Sequence, residues 1–212
     1  IRTFSATQQQ DAAVLAEIEQ LFTAGFNKQT DERLAHLLSH LDQRIRLQAK
    51  FELVARNAVD PLNAVATDAE KPDLARIHAI WGLGQLAAHT VMNQWGDLSI
   101  FQGEILAQAV KVIGESQALA MRETVRRHLS HPAPRVQYFA AISAGKLRDT
   151  AAIGQLMKLA GTAAGDDDPF LRHATVWALD EIGERESVRQ YTGAESAGQR
   201  LSALLALRNW AD

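Results

Sequence analysis

The feature that most constrains the fold of this chain is an internal pattern that recurs every 28 to 35 residues. Six copies align on an anchor position, which is occupied by Arg46, Arg76, Leu106, Gln137, Arg172 and Arg200. A small residue follows each anchor by three positions, and an apolar residue follows it by seven. These spacings lie on one face of an α-helix, so each copy predicts an amphipathic helix that a neighbouring helix can approach closely.

A second amphipathic segment precedes the anchor helix in each repeat. Examples are residues 32–40, 61–67, 118–131 and 151–160. Glycine stands eight positions after the anchor in three copies (Gly84, Gly114 and Gly145), which fits a helix end or a close crossing. A helical hairpin cannot bury its apolar face alone, so the copies must stack. The sequence predicts an all-α fold, an α-α superhelix of about six helical hairpins.

We expect one domain over residues 1–212, and the start at Ile1 rather than methionine suggests a segment of a longer protein. The net charge is -3, which disfavours a nucleic-acid partner because phosphate backbones attract basic surfaces. The chain has no cysteine, so it forms no disulfide and no thiolate metal site. No apolar run approaches the length that spans a membrane, so we expect no membrane partner.

Residues 37–46, 75–86 and 168–174 carry a resemblance to a known family. Together they resemble the HEAT-repeat segment of large bacterial haem-binding proteins of planctomycetes and their relatives. In those proteins a sugar-dehydrogenase-like propeller precedes the repeats and a cytochrome c domain follows them. The resemblance covers residues 8–212 and implies a HEAT-like solenoid that serves as a spacer in a periplasmic or otherwise extracytoplasmic oxidoreductase. The chain lacks the C-x-x-C-H motif, so we expect no cofactor in this segment. It also departs from the family pattern in having Leu106 and Gln137 where an arginine is usual.

The anchor arginines Arg46, Arg76, Arg172 and Arg200 form a predicted structural ladder. In HEAT repeats a basic residue at this position pairs with an acidic residue six positions earlier. That rule predicts the pairs Glu70 with Arg76 and Asp166 with Arg172. A row of arginines that binds an acidic ligand is the alternative.

Two histidine pairs could begin a metal site, because His36 with His40 and His128 with His131 have chelating spacings. A third ligand is missing from both, and His40 and His131 occupy matching repeat positions, so we favour turn and capping roles. The triplet at residues 166–168 lacks the alternating ligands of a calcium loop, and Asp168 before Pro169 is typical of a helix cap. We therefore predict no metal site.

The leading functional prediction is a non-catalytic scaffold that binds a protein or a neighbouring domain through its anchor helices. Polar residues at anchor plus two, six and nine are predicted to be exposed and to contact the partner. They are Gln48, Glu52, His78, Gln85, Gln108 and Glu115. Aromatic and apolar residues at anchor plus five, including Phe51, Trp81 and Trp177, indicate packing between repeats, with a stacking platform for bases or sugars as the alternative.

Two enzymatic alternatives remain open at this stage. One is the spacer of a haem-containing sugar-dehydrogenase-like oxidoreductase. The other is a HEAT-like DNA glycosylase or lyase, which the acidic net charge disfavours. No phosphate-binding glycine loop, G-x-S-x-G or H-E-x-x-H motif is present. The sequence leaves the oligomeric state open.

Overall fold

The computed structural model describes residues 12–162 and 168–210 of the chain. Within these residues it contains thirteen α-helices, four 3-10 turns and no strand. The helices are α1 (Ala12–Ala24), α2 (Asp31–Leu37), α3 (Gln43–Ala55), α4 (Val59–Thr67), α5 (Asp73–Gln85), α6 (His89–Gln94), α7 (Gly103–Glu115), α8 (Arg122–His128), α9 (Pro134–Lys146), α10 (Ile153–Ala160), α11 (Pro169–Ile182), α12 (Arg185–Arg189) and α13 (Ala197–Asn209). None of them is long and apolar enough to cross a membrane.

The helices alternate between two layers. The six anchor helices α3, α5, α7, α9, α11 and α13 pack on one another in series, and we call them the second helices. The shorter helices α2, α4, α6, α8, α10 and α12 each precede a second helix, and most of them pack directly on it. We call these the first helices. The prediction of six stacked helical hairpins is confirmed.

The repeated stripe of the sequence forms the core. The residue three positions after the anchor is completely buried in all six copies, from Ala49 to Ala203. The residue seven positions after the anchor is completely buried in five copies, and Leu207 in the last copy is half-buried. The packing of each repeat therefore depends on its neighbours, as expected for a solenoid.

The three repeated glycines mark close crossings between second helices. A Cβ atom on Gly84 would lie 2.6 Å from a side-chain atom of Val112 in the next second helix. One on Gly114 would lie 2.6 Å from Cα of Ser143. One on Gly145 would lie 2.8 Å from Cα of Ala178. At Gly114 and Gly145 the backbone of the next second helix occupies the space of a side chain, and at Gly84 the Val112 side chain occupies it.

The second helices end in a common type of turn that the sequence pattern does not predict. The residue eleven positions after the anchor has a positive φ in five repeats: Asn57, Ala87, Gln117, Arg148 and Gly183. In the first four of these the next amide donates back to the carbonyl at anchor plus seven, for example Ala58 N to Leu53 O. This is the hydrogen-bond pattern of a Schellman motif, which reverses the chain into the next first helix.

The predicted helix caps have mixed outcomes. Asp168 accepts hydrogen bonds from the amides of Phe170 and Leu171, so its predicted cap of α11 is confirmed. The sequence pair Asp60-Pro61 likewise predicts a cap before a helix that begins at Pro61, and this prediction is wrong. Helix α4 begins two residues earlier, after Ala58, because the Schellman turn leads directly into it. Thr7 and Gln10 have the spacing of a capping box, but both lie outside the described residues.

The third repeat departs from the others. Its first helix, α6, ends at Gln94, and a loop over residues 95–102 follows before α7. Trp95, Leu98 and Phe101 in this loop are buried, and the Trp95 and Phe101 rings meet edge to face at 5.1 Å. Trp95 also donates from Nε1 to Asn63 Oδ1 in α4. The loop thus buries two aromatic side chains in the core of the third repeat.

Candidate interaction surface

The second helices present one continuous face away from the first helices. Positions two before, two after, five after and nine after the anchor lie within about 60° of one another on an α-helix. Residues at minus two, plus five and plus nine are exposed or half-exposed in nearly every repeat. We call this the second-helix face. It includes Phe51, Leu74, Trp81, Lys111 and Phe170.

The six predicted partner-binding residues differ in how exposed they are. Gln48, Gln85 and Glu115 are exposed, so their predicted exposure is confirmed, while Glu52 is half-buried. Glu52 accepts from Nε of Arg56 at 2.9 Å. The partner-binding role of all six remains a prediction.

The exposure predicted for His78 and Gln108 is wrong. Both are buried, with 4% and 5% of their surface exposed. They lie at anchor plus two, on the flank of the helix that packs against the preceding second helix. Gln48 occupies the same position but stays exposed, because α3 is the first second helix of the row within the described residues.

A cavity of about 390 Å³ opens on this face across α3, α5 and α7. Its lining residues are Lys50, Trp81, Gly84, Gln85, Lys111, Val112 and Glu115. We call it the lysine cavity, because lysine side chains from two helices line it.

Lys50 is unusual among the charged groups of the lysine cavity. Only 4% of its surface is exposed, and burial lowers its pKa below the ordinary lysine value. Its ammonium lies 4.4 Å from the centroid of the Phe51 ring. Within the described residues no carboxylate lies close enough to pair with it. Lys111 and Lys146, by contrast, share Glu115, at 3.7 and 3.5 Å.

His78 lies beside Lys50 as a buried neutral imidazole. Its Nδ1 atom is buried without a hydrogen-bond partner, and its ring meets Trp81 edge to face at 5.3 Å. Burial, followed by the charges of Arg46 and Lys50, lowers its pKa to about 4. The imidazole therefore carries no charge at neutral pH.

This shift predicts a loss of stability in acid. In the unfolded chain His78 has its ordinary pKa of 6.5, so protons favour the unfolded state as the pH falls below that value towards 4. We expect His78→Gln to reduce the loss of unfolding free energy between pH 7 and pH 4.5 by about 2 kcal/mol. Urea unfolding of both proteins at the two pH values measures it. An equal loss in both would show that His78 titrates normally in the folded protein.

A chain of hydrogen bonds fixes Trp81 across three second helices. Its Nε1 donates to Gln108 Oε1 at 2.9 Å, and Gln108 Nε2 donates to Glu104 Oε1 at 2.7 Å. Glu104 accepts in turn from Arg135, whose guanidinium lies 5.0 Å from the Phe139 ring. These hydrogen bonds, that from Arg135 first, lower the pKa of Glu104. The network joins α5, α7 and α9 and holds this part of the surface in one arrangement.

A second cavity of about 570 Å³ lies further along the same face, between α9 and α11. Its lining residues are Pro134, Arg135, Tyr138, Phe139, Asp168, Phe170 and Leu171. Phe170 is 71% exposed, an uncommon state for so large an apolar side chain. We call this the aromatic cavity. The sequence pattern does not indicate this cavity, because Tyr138 and Phe139 stand at anchor plus one and plus two rather than at anchor plus five.

Three arginines of the predicted ladder, Arg46, Arg76 and Arg200, donate to backbone carbonyls. Arg46 donates from Nη1 to the carbonyls of His40 and Leu41. Arg200 makes the equivalent bonds, six and five residues back, to Ala194 and Glu195. Both arginines therefore satisfy carbonyls in the turn that leads into their own second helix, which is a structural role.

The predicted pair of Glu70 with Arg76 is wrong. Arg76 is buried and donates to the carbonyls of Ala66, at the end of α4, and Ile100, in the third-repeat loop. Glu70 is exposed in the turn before α5, where its amide donates to Asp68. One carbonyl at the end of α4 and one in the third-repeat loop thus take the acceptor role that the prediction gave to Glu70. Asp166, the predicted partner of Arg172, lies outside the described residues.

The histidines at matching repeat positions perform matching turn roles. His40 Nδ1 accepts from the amide of Asp42, and His131 Nδ1 accepts from the amide of Ala133. Each histidine thereby shapes the turn before a second helix, as predicted. The described residues contain no group of three or more histidine and acidic side chains able to hold a metal ion.

Comparison with known proteins identifies the architecture. An engineered protein of known structure superposes with a TM-score of 0.51 at 16% identity, covering 84% of this chain and 95% of its own. The chain is an all-α superhelix, a HEAT-like solenoid of helical hairpins. A designed armadillo repeat protein matches with a TM-score of 0.48 at 14% identity, covering 86% of this chain and 100% of its own.

The complex of CpcE and CpcF of phycocyanin lyase from a Nostoc species matches less well, with a TM-score of 0.36 at 18% identity over 98% of this chain and 68% of that one. No protein-family model matches the sequence. No curated protein matches it at a significant level. At these sequence identities the structural similarity shows the fold alone and does not identify the function.

Proposed function

We propose that this solenoid is a non-catalytic interaction module that binds an extended segment of a protein partner along the second-helix face. The observation that carries the proposal is the exposure of large apolar side chains there. Phe51, Leu74 and Phe170 have 47%, 54% and 71% of their surface exposed. Exposed aromatic and apolar groups beside cavities, within a polar surround, are typical of protein-binding surfaces.

The arrangement of the two cavities supports an extended ligand. The lysine cavity lies across α3 to α7 and the aromatic cavity lies between α9 and α11. The network from Trp81 to Arg135 runs between them. Because hydrogen bonds already fix these side chains, a partner would lose little entropy in ordering them. An elongated peptide could contact both cavities, whereas a compact small molecule would occupy one.

Peptide selection tests the proposal directly. We expect random sixteen-residue peptides displayed on phage and selected on the purified protein to bind in a way that requires Phe51 and Phe170. Phe51→Ser and Phe170→Ser should each weaken the selected peptides about tenfold in calorimetric titration. Leu119→Ser is the matched control, because Leu119 is 52% exposed in the turn before the first helix α8.

The control should leave the affinity unchanged. Selected peptides that ignore both phenylalanine substitutions would overturn the proposal. So would an equal loss of affinity from the Leu119 control, since both results would place the ligand elsewhere.

The resemblance to haem-binding proteins adds a further hypothesis about context. If the chain is the spacer of an extracytoplasmic oxidoreductase, the second-helix face would contact a neighbouring domain of the same protein. The coding sequence around the chain tests this. A propeller before it and a C-x-x-C-H motif after it would support the hypothesis, and flanking sequence without either would contradict it.

A further inference from the structure

Lys50 is a buried cation that the fold itself does not require. Its ammonium lines the lysine cavity, and among the described residues no carboxylate pairs with it. Removing a charge from water is costly unless an opposite charge or hydrogen bonds replace the water. Among the described residues Lys50 has no ion pair and no hydrogen-bond partner, and its side chain lies between the Phe51 ring and the open cavity. A methionine of similar length would fill the same space without this cost.

Two further polar atoms beside Lys50 also lack partners. Arg46, one helical turn earlier on α3, has a buried Nε atom without an acceptor. His78, on α5, has the buried and unpartnered Nδ1 atom. The charges of Arg46 and Lys50 both act on His78, and no acidic group contributes. The space between α3 and α5 is therefore positively charged, and two polar atoms that border it have no hydrogen-bond partner.

The charge of the surrounding surface has the same sign. Lys50 and Lys111 line the cavity, and Lys146 lies next to it, where Lys111 and Lys146 share the carboxylate of Glu115. Glu104 is already held by Arg135. A chain with a net charge of -3 thus concentrates positive charge at the lysine cavity.

We propose that the lysine cavity binds a glutamate or aspartate side chain of an acidic partner segment, with its carboxylate paired to the Lys50 ammonium. The inference rests on the proposed function and specifies the chemistry of the partner. Apolar side chains of the same segment would contact Phe51 and the exposed edge of Trp81. The lowered pKa of Lys50 agrees with a desolvated ammonium that a carboxylate would stabilise.

The test combines stability with binding in the intact chain. Lys50→Met keeps the length of the side chain and removes its charge. Lys158→Met makes the same change at an exposed site on the first helix α10. We expect Lys50→Met to raise the melting temperature above that of both the wild type and the control. A lower melting temperature would show that Lys50 already has a stabilising partner and would overturn the inference.

Binding is measured with the selected peptides and their Glu→Gln or Asp→Asn variants. We expect one acidic position whose amide variant binds the wild type about tenfold more weakly. On Lys50→Met the acidic and amide peptides should bind equally, whereas Lys158→Met should behave as the wild type. Lys50→Arg, which keeps the charge, should retain the preference for the acidic peptide.

The failures of the two proposals are distinguishable. Peptides that depend on Phe51 and Phe170 but show no acidic preference would leave the interaction surface intact and overturn the carboxylate site. An acidic preference that persists on Lys50→Met would also overturn it. Peptides that do not depend on either phenylalanine would overturn the proposed function itself.

Discussion

Gly114→Ala should lower the free energy of unfolding by about 3 kcal/mol. The added methyl group would lie 2.6 Å from Cα of Ser143, and a backbone atom cannot rotate away as a side chain can. Helices α7 and α9 would have to separate, which would also lengthen the hydrogen bond from Ser143 Oγ to Val110 O, now 2.8 Å. Urea unfolding followed by circular dichroism measures the change.

Gly154→Ala is the matched control for this substitution. Gly154 is exposed in α10, and a Cβ atom there would approach nothing closer than 3.9 Å. Because alanine favours the helix over glycine, this variant should be more stable by about 0.5–1 kcal/mol. If Gly114→Ala were as stable as Gly154→Ala, the close crossing of the second helices would be refuted.

Arg76→Met should also destabilise the protein by about 3 kcal/mol. The guanidinium donates to Ala66 O at 3.0 Å and to Ile100 O at 3.2 Å, so it ties the end of α4 to the third-repeat loop. Its Cζ atom also lies 5.8 Å from the Phe101 ring centroid. Methionine retains the apolar stem but leaves both carbonyls without this donor. The same urea unfolding experiment measures the loss.

Arg189→Met controls for the loss of an arginine charge. Arg189 is exposed in α12 and pairs with Glu186 three residues earlier on the same helix. Surface pairs of this kind contribute little, so we expect a change within about 0.5 kcal/mol. Similar effects from the two substitutions would contradict the structural role of Arg76. A large loss from Arg76→Met alone would support the view that anchor arginines hold the solenoid through backbone carbonyls.

The regular part of the fold could be predicted because it obeys one local rule. A small residue at anchor plus three and an apolar residue at plus seven define the buried stripe of every second helix, and the structure buries both. Gly114 and the glycines at the same repeat position, Gly84 and Gly145, could be recognised in the sequence from their spacing. The turns after the second helices were not visible, because alanine, glutamine and arginine occupy the positive-φ positions at Ala87, Gln117 and Arg148.

The surface was less predictable because it depends on neighbours. Helical phase places Gln48 and His78 on the same face, yet the preceding second helix covers only His78. The acceptors of Arg76 come from α4 and from the loop of the third repeat, which has no counterpart in the pattern. Lys50 appears in the sequence as an ordinary helix lysine. Its burial and lack of an acidic partner emerge only when α3 and α5 are packed together.

Site-specific photo-crosslinking shows whether the second-helix face contacts a protein partner. A benzophenone amino acid would replace Phe51 or Phe170 on the second-helix face, or Gln155, exposed on the first helix α10, as the control. With the chain expressed in its own host cells, we predict that the two face positions capture the same protein segment, and that the α10 position does not. Capture from α10 alone, or no capture from either face position, would contradict partner binding at the second-helix face.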